Sequence, residues 1–320
     1  MEYRTLGKSG IQVSELGYGC WPVGGGWGNK DDERDIRSLR EAYDKGVTFF
    51  DTAMGYGGGH SEELLGEAFK GMRDKVVLAT KISPKAKPEG PVHEVYPPDW
   101  IIRCTEESLK RLNTDYLDVQ QIHCWRDHYT EDANWYEAML KLKVQGKIRS
   151  IGVSAEDWEW NGAVRIVESG KIDSVQAIYN VFDQQPQERL FPATIENHVG
   201  IIVRVPLFEG LLAGKIHPGH RFVEGDWRGR FLTPERLEEA ALHLDKLAEL
   251  LNDETPTLAA LSLKFCLSHP AVSTVIVGMT SPKHVDANVA VSNGKLFTEE
   301  QLAVLAEHAF DHGWTYPWAG

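Results

Sequence analysis

Short apolar runs alternate with amphipathic helical patterns along almost the whole of this 320-residue chain, and that alternation limits the folds open to it. The runs are Leu16–Cys20, Val47–Asp51, Val76–Thr80, Leu117–His123, Ile148–Ser154, Val175–Tyr179, Gly200–Val205 and Val272–Gly278. Each is a few residues long and bounded by Gly, Pro or charge, as expected of strands buried on both faces of a parallel sheet. Between them apolar positions recur at helical spacing, as in Ile36, Leu39 and Tyr43, and again in Ile102, Thr105, Leu109 and Leu112. Ser61, followed by Glu62 and Glu63, reads as a helix N-cap with acids in the first turn. Strand–helix units repeated in this number predict a closed (β/α)8 TIM barrel rather than an open sheet.

Three pieces stand outside the repeat. Tyr3–Leu6, the Gly7–Gly10 turn and Ile11–Val13 predict an N-terminal β-hairpin. After the seventh strand, Leu207–Leu232 is too long for an ordinary connection. A helical pattern over Pro234–Leu251 follows, before the unit Leu258–Leu267 that precedes the last strand. An added C-terminal helix is expected over Glu299–Phe310, then an aromatic tail from Trp314 to Trp318. No Pro/Ser linker interrupts the chain, so residues 1–320 read as one domain.

Composition removes several functional classes. Lys and Arg number 34 against 47 Asp and Glu, a net charge of −13, which argues against binding nucleic acid through its phosphates. Hydrophobic residues at 42% are too many for a disordered chain. No apolar run approaches the ~20 residues of a membrane helix, and the start, Met1-Glu2-Tyr3-Arg4, lacks the pattern of a secretory signal. Cys20, Cys104, Cys124 and Cys266 form no C-x-x-C pair and read as reduced thiols. A cytoplasmic protein is expected.

Several familiar motifs fail. No G-x-G-x-x-G follows a strand. Gly210–Lys215 has one residue too few between its glycines for a phosphate-binding P-loop, and Ile216 replaces its Ser or Thr. Gly152–Glu156 lacks the final glycine of a nucleophile elbow. His123 and His128 flank Cys124 without the pattern of a metal site, so no metal is expected.

Barrel chemistry gathers at the C-terminal ends of the strands. There the second strand ends in Asp51, with Tyr56 five residues on, the third in Thr80-Lys81 and the fourth in His123. Lys81 and Asp51 in the barrel mouth would form a desolvated ion pair. A neighbouring Tyr56 would then feel the Lys charge, and its pKa is expected to fall from ~10 towards neutrality. Such a phenol can serve as general acid or base. His123 could hydrogen-bond a substrate oxygen where charge develops.

The set Phe50-Asp51-Thr52-Ala53, Tyr56-Gly57, Ser61-Glu62, Thr80-Lys81 and Ile122-His123 resembles the Asp-Tyr-Lys-His tetrad of the aldo-keto reductases. The likeness runs through nearly the whole chain. It implies an NADP-dependent oxidoreductase in which hydride passes between the nicotinamide and a carbonyl or alcohol. Tyr56 would be the proton donor, Lys81 and Asp51 would tune it, and His123 would orient the carbonyl. The resemblance further implies that Ser154 and Gln176 hold the nicotinamide carboxamide, with Asn180 just beyond. Leu207, Gly210 and Lys215 would wrap the pyrophosphate. Gly278, Thr280, Ser281, Lys283, His284 and Asn288 would surround the adenosine.

The sequence departs from the family's pattern in four places. Ala155 stands where many members have Asn, and Arg204 where an aromatic residue often stacks on the nicotinamide. The planar guanidinium can also stack. His284 replaces a common Gln, and Ser281 a common Arg against the 2′-phosphate, which keeps NAD as the alternative nucleotide. Trp21, Trp27 and Trp125, read in the strand–helix loops, are the expected substrate contacts for a small carbonyl or alcohol.

Two other readings compete. The resemblance also admits a nicotinamide-nucleotide-sensing binding module with little turnover, against which the intact tetrad speaks. A Schiff-base aldolase built on Lys81 leaves Tyr56 and the nucleotide-like segments without a role.

Overall fold

The eight apolar runs fold into one closed parallel barrel in the computed structural model, which describes residues 1–25, 30–157 and 159–316. A separate antiparallel pair, β1 (Tyr3–Thr5) and β2 (Gln12–Ser14), precedes it. The barrel strands are β3 (Leu16–Gly19), β4 (Phe49–Asp51), β5 (Val77–Ile82), β6 (Leu117–Trp125), β7 (Ile148–Ala155), β8 (Ser174–Ile178), β9 (Gly200–Arg204) and β10 (Val272–Val277). Each pairs with the next, and β10 closes the ring on β3 through Val275 opposite Leu16.

Alternation along the strands divides the barrel interior into two levels. Low in the barrel, Phe49, Ala79, Val119, Ile202 and Ile276 pack on Leu6, Ile11 and Val13 of the hairpin, which stoppers that end with apolar side chains. One step further along the same faces stand Asp51, Lys81 and Gln121, all buried, so the interior turns polar toward the strands' C-terminal ends. That change of polarity puts the chemistry at one mouth of the barrel.

The hairpin is held on by the Arg4 guanidinium and by close backbone packing as well. Arg4 donates to the carbonyl oxygens of Val272 (2.8 Å) and Leu267 (2.9 Å). Gly7 sits at φ +49, and a Cβ there would lie 2.3 Å from the Gly200 nitrogen. Gly7→Ala therefore combines an unfavourable backbone conformation with a collision against backbone that cannot yield. It is expected to cost about 2–4 kcal/mol in a urea melt; a loss below about 0.5 kcal/mol would show that the turn moves freely.

The helices follow the sequence pattern, with three changes, one being that the expected Pro234–Leu251 ends at Ala248. Asp32–Asp44 carries the face of Ile36, Leu39 and Tyr43, and the Asp31 carboxylate caps it by accepting from the Arg34 N–H. The helix His60–Ala68 starts one residue before Ser61, capped by Gly59 at φ +100, so Ser61 is not the N-cap. Its hydroxyl instead accepts from Thr52 and donates to the Cys20 carbonyl. The long connection after β9 winds through Phe208–Ala213 and Arg228–Phe231 before the helices Pro234–Ala248 and Leu258–Ser268. The C-terminal helix is shorter than expected, Glu299–Ala306, because the chain then leaves helical geometry to cross Phe182 and Phe208. No described helix is long and apolar enough to cross a membrane.

Candidate active site

Lys81 is the centre of the polar mouth. Its side chain is 0% exposed, and its ammonium donates to Asp51 Oδ2 (2.5 Å), to the Thr52 carbonyl (2.7 Å) and to the Tyr56 hydroxyl (3.2 Å). All three of its hydrogens are thereby used. The second Asp51 oxygen accepts from Gln121 Nε2 (3.0 Å) and Gln176 Nε2 (2.8 Å). A buried ion pair is tolerable only when its remaining hydrogen-bonding capacity is met, and here both members are satisfied.

Tyr56 reaches this pair through an unusual turn. Gly57, Gly58 and Gly59 all have positive φ, which lets the chain reverse directly into the following helix. The phenol ring then lies with its centroid 4.8 Å from Lys81 Nζ. Trp21 meets it edge-on at 4.8 Å and His123 at 6.4 Å. The four residues expected at the strand ends thus converge in space.

Their charge states differ from expectation in one respect. Burial raises the Tyr56 pKa, and the Lys81 charge only partly offsets this while Asp51 adds to it. The expected fall towards neutrality does not occur, because loss of solvent outweighs the nearby cation. Tyr56 is a neutral phenol at physiological pH. Burial opposes the Lys81 charge too, but Asp51 and Tyr56 outweigh it and hold its pKa above the ordinary value. Burial, then Lys81 and Arg204, push His123 well below the usual histidine range, so its ring is neutral and carries one N–H.

Supporting residues surround the centre. Thr80 donates to the buried Glu62 carboxylate (2.6 Å), which also accepts from Arg111 (2.6 Å). Neither Gln121 nor Glu62 was given a role at the site from the sequence. Gln121 was detectable, since it lies two residues before His123 and so on the same face of its strand. Glu62 was read only as a first-turn acid and as part of the Ser61-Glu62 string, neither of which predicts its contacts with Thr80 and Arg111.

The other expected residues divide. Ser154 is buried near the end of β7, and Gln176 spends its amide N–H on Asp51 and Gln121. Arg204 reaches from β9 to Asp157 (2.7 Å) and the Ala155 carbonyl (3.1 Å), and its buried Nε has no partner among the described residues. Asn180 is absorbed in a turn, bonded to Asp183 and to the Val205 carbonyl. Lys215, in the loop that carries Leu207 and Gly210, meets His284 Nε2 at 3.0 Å across 69 positions of sequence. Ser281 caps the helix Pro282–Val289 by accepting from the His284 N–H, with Lys283 exposed beside it and Asn288 buried a turn on. Gly278 and Thr280 link β10 to that helix.

The tryptophans expected at the mouth divide. Trp125 is the last residue of β6 rather than part of a loop, is 0% exposed, and packs on Trp135 (4.9 Å) and Tyr129 (5.5 Å). It presents no open surface at the mouth because a register shift after Ile122 turns the strand's end. Trp21 is 38% exposed against Tyr56. Trp27 lies outside the described residues.

Comparison with known proteins fits this geometry. The family model described as Aldo/keto reductase family matches residues 15–309. Aldo-keto reductase YhdN of Bacillus subtilis is 34% identical over 309 residues, 94% of this chain and 92% of that protein. The holo form of an aldo-keto reductase from Bacillus halodurans superposes with a TM-score of 0.78 at 30% identity, covering 97% of this chain and 96% of that one. An aldo/keto reductase from Klebsiella pneumoniae in complex with NADP and acetate superposes at 0.69 with 27% identity, covering 96% and 95%.

Proposed function

Since the chain belongs to the aldo/keto reductase family, we propose that it is an NADP(H)-dependent carbonyl reductase and alcohol dehydrogenase acting through Asp51, Tyr56, Lys81 and His123. The observation that carries this reading is the Lys81 ammonium, wholly buried and shared between Asp51 and Tyr56. Such a group gives up solvation in order to fix and polarise one phenol.

The residues at the mouth fit a dinucleotide. Lys215 and Lys283 supply cations beside the N-terminus of Pro282–Val289, a setting suited to a phosphate. At the other end stand Arg204, whose buried Nε has no partner among the described residues, and the buried Ser154. Leu207, Gly210, Gly278, Thr280, Ser281, His284 and Asn288 complete the proposed cradle, with Gln176 reaching it through the side of its amide not bound to Asp51. When bound, the reduced nicotinamide supplies a hydride to the carbonyl carbon. His123, as a neutral donor, holds the carbonyl oxygen and fixes its direction. Tyr56 gives that oxygen its proton, while Lys81 stabilises the phenolate left behind. In the reverse direction the same phenol must first lose its proton, so alcohol oxidation gains with rising pH. Trp21 is the proposed substrate wall. All four cysteines are free, and we place the protein in the cytoplasm.

The test is a fluorescence titration with NADPH and NADH, followed by turnover of 4-nitrobenzaldehyde. Tight NADPH binding and turnover are expected, with Lys283→Ala weakening NADPH about tenfold more than NADH through loss of a 2′-phosphate contact, about 1.4 kcal/mol. Tight binding without turnover on a broad carbonyl panel would favour the nucleotide-sensing reading. Failure to bind either nucleotide would overturn both.

A further inference from the structure

Gln121 is 0% exposed and bonded into the centre of the site, although it is not one of the four proposed catalytic residues. Its Nε2 donates to Asp51 Oδ1 (3.0 Å), and its Oε1 accepts from Gln176 Nε2 (3.3 Å). Gln176 Nε2 also donates to Asp51 Oδ1 (2.8 Å), so the two amides and that oxygen close a ring of hydrogen bonds. A carboxylate oxygen has no hydrogen to give, which fixes both amides with their NH2 groups toward Asp51. The reach from β6 to β8 crosses β7 at Gly152, the residue paired with Gln121. A Cβ there would stand 3.1 Å from Gln121 Cγ and 2.6 Å from Ser174 Oγ, so glycine makes room for the Gln121 side chain.

The ring governs how the Lys81 ammonium is shared. Its three contacts are graded, at 2.5 Å to Asp51 Oδ2, 2.7 Å to the Thr52 carbonyl and 3.2 Å to the Tyr56 hydroxyl. The charged acceptor holds it most closely and the phenol least. Asp51 Oδ1, stripped of an amide donor, would become a second charged acceptor for the same ammonium. The hydrogen most easily withdrawn is then the one on Tyr56. Gln176 belongs also to the proposed nucleotide cradle, whereas Gln121 bonds only within the ring.

We propose that Gln121 is a positioning residue for the proton transfer, which by occupying Asp51 Oδ1 keeps one hydrogen of the Lys81 ammonium on the Tyr56 hydroxyl. Without it Lys81 turns toward both Asp51 oxygens and the Tyr56 contact lengthens. The phenolate on which both directions of the reaction depend then loses part of its stabilising cation. That Tyr56 is the proton donor rests on the function proposed above; the sharing of the ammonium does not. Gln121→Leu and Gln121→Met both remove the amide donor, and either serves if the other packs poorly. Each should slow alcohol oxidation about tenfold, the lower end of what a hydrogen bond to a charged group is worth, and move its alkaline limb to higher pH. NADPH binding should change less than about threefold, because Gln176 keeps its own bond to Asp51.

Gln121→Glu supplies the control. Burial and the neighbouring Asp51 charge keep the new acid protonated through neutrality, and a neutral carboxyl can donate its O–H to Asp51 as the amide did. This variant should therefore oxidise alcohols at nearly the natural rate at neutral pH and fail as its acid ionises in alkaline solution. A side chain that only filled space would leave Glu no better than Leu or Met. The direct readout needs no nucleotide. With lysine side chains labelled with nitrogen-15, the Lys81 ammonium signal is identified by its loss in Lys81→Met. Tyr56→Phe should move that signal in the natural background and leave it in place in the Gln121→Leu or Gln121→Met background. A Tyr56→Phe displacement that persists there, an unmoved alkaline limb in both variants, or a Glu variant as slow as Leu at neutral pH would each overturn the positioning role. If the natural protein neither binds NADPH nor turns over an alcohol, the functional reading falls, and the ammonium signal still decides whether Gln121 governs the Lys81–Tyr56 contact.

Discussion

Tyr56→Phe should bind NADPH within about threefold of the natural protein, yet reduce carbonyls about 10²–10⁴-fold more slowly, the range that a general acid contributes. The substitution removes one oxygen and keeps the ring, so packing against Trp21 and the contact with Lys81 survive. What disappears is the only proposed proton donor. The pH profile offers a second check. The Tyr56 pKa lies above its ordinary value, so in the natural protein the reduction rate should stay level through neutrality and fall only in alkaline solution. A profile that falls between pH 6 and pH 8 would mean that another group supplies the proton. Turnover of the Phe variant near the natural rate would end the assignment.

Lys81→Met is expected to have an effect of similar size by a different route. Met fills much of the same volume without a charge, so Tyr56 loses the cation that partly offsets its burial, while Asp51 continues to oppose the phenolate. Its pKa must rise further. Alcohol oxidation, which needs the phenolate, should slow at least about 100-fold and require a more alkaline solution. Stability falls too, by about 3–5 kcal/mol, because Asp51 stays buried with only Gln121 and Gln176 as donors. The altered pH dependence separates tuning from damage, since a merely loosened protein would lose rate at every pH alike. A lower rate with an unmoved alkaline limb would sink the tuning role.

How much of this was legible beforehand depends on the range over which each feature is decided. Every barrel strand could be read from runs of a few residues, since a strand buried on both faces must be apolar throughout. The gathering of Asp51, Lys81 and His123 at one mouth followed from the rule that barrel chemistry sits at the strand ends. Trp125 could not be placed in this way. Its neighbours in sequence resemble loop residues, and only the register shift after Ile122 buries it against Trp135. Ser61 likewise looks like a helix cap until Gly59, with its positive φ, takes that position.

The sequence by itself determined the barrel, the hairpin, the long connection after β9 and which titratable residues stand at one mouth, because these depend on local periodicity and on order along the chain. Only the tertiary structure decided their chemistry. Whether Tyr56 is phenol or phenolate depends on the balance between lost solvent and the charges of Lys81 and Asp51, each brought from a different strand end. The pairing of Lys215 with His284 and of Glu209 with Tyr316 depends on loops that meet only when the barrel has closed. Electrostatic terms sum over distance in space, and a sequence records distance along the chain.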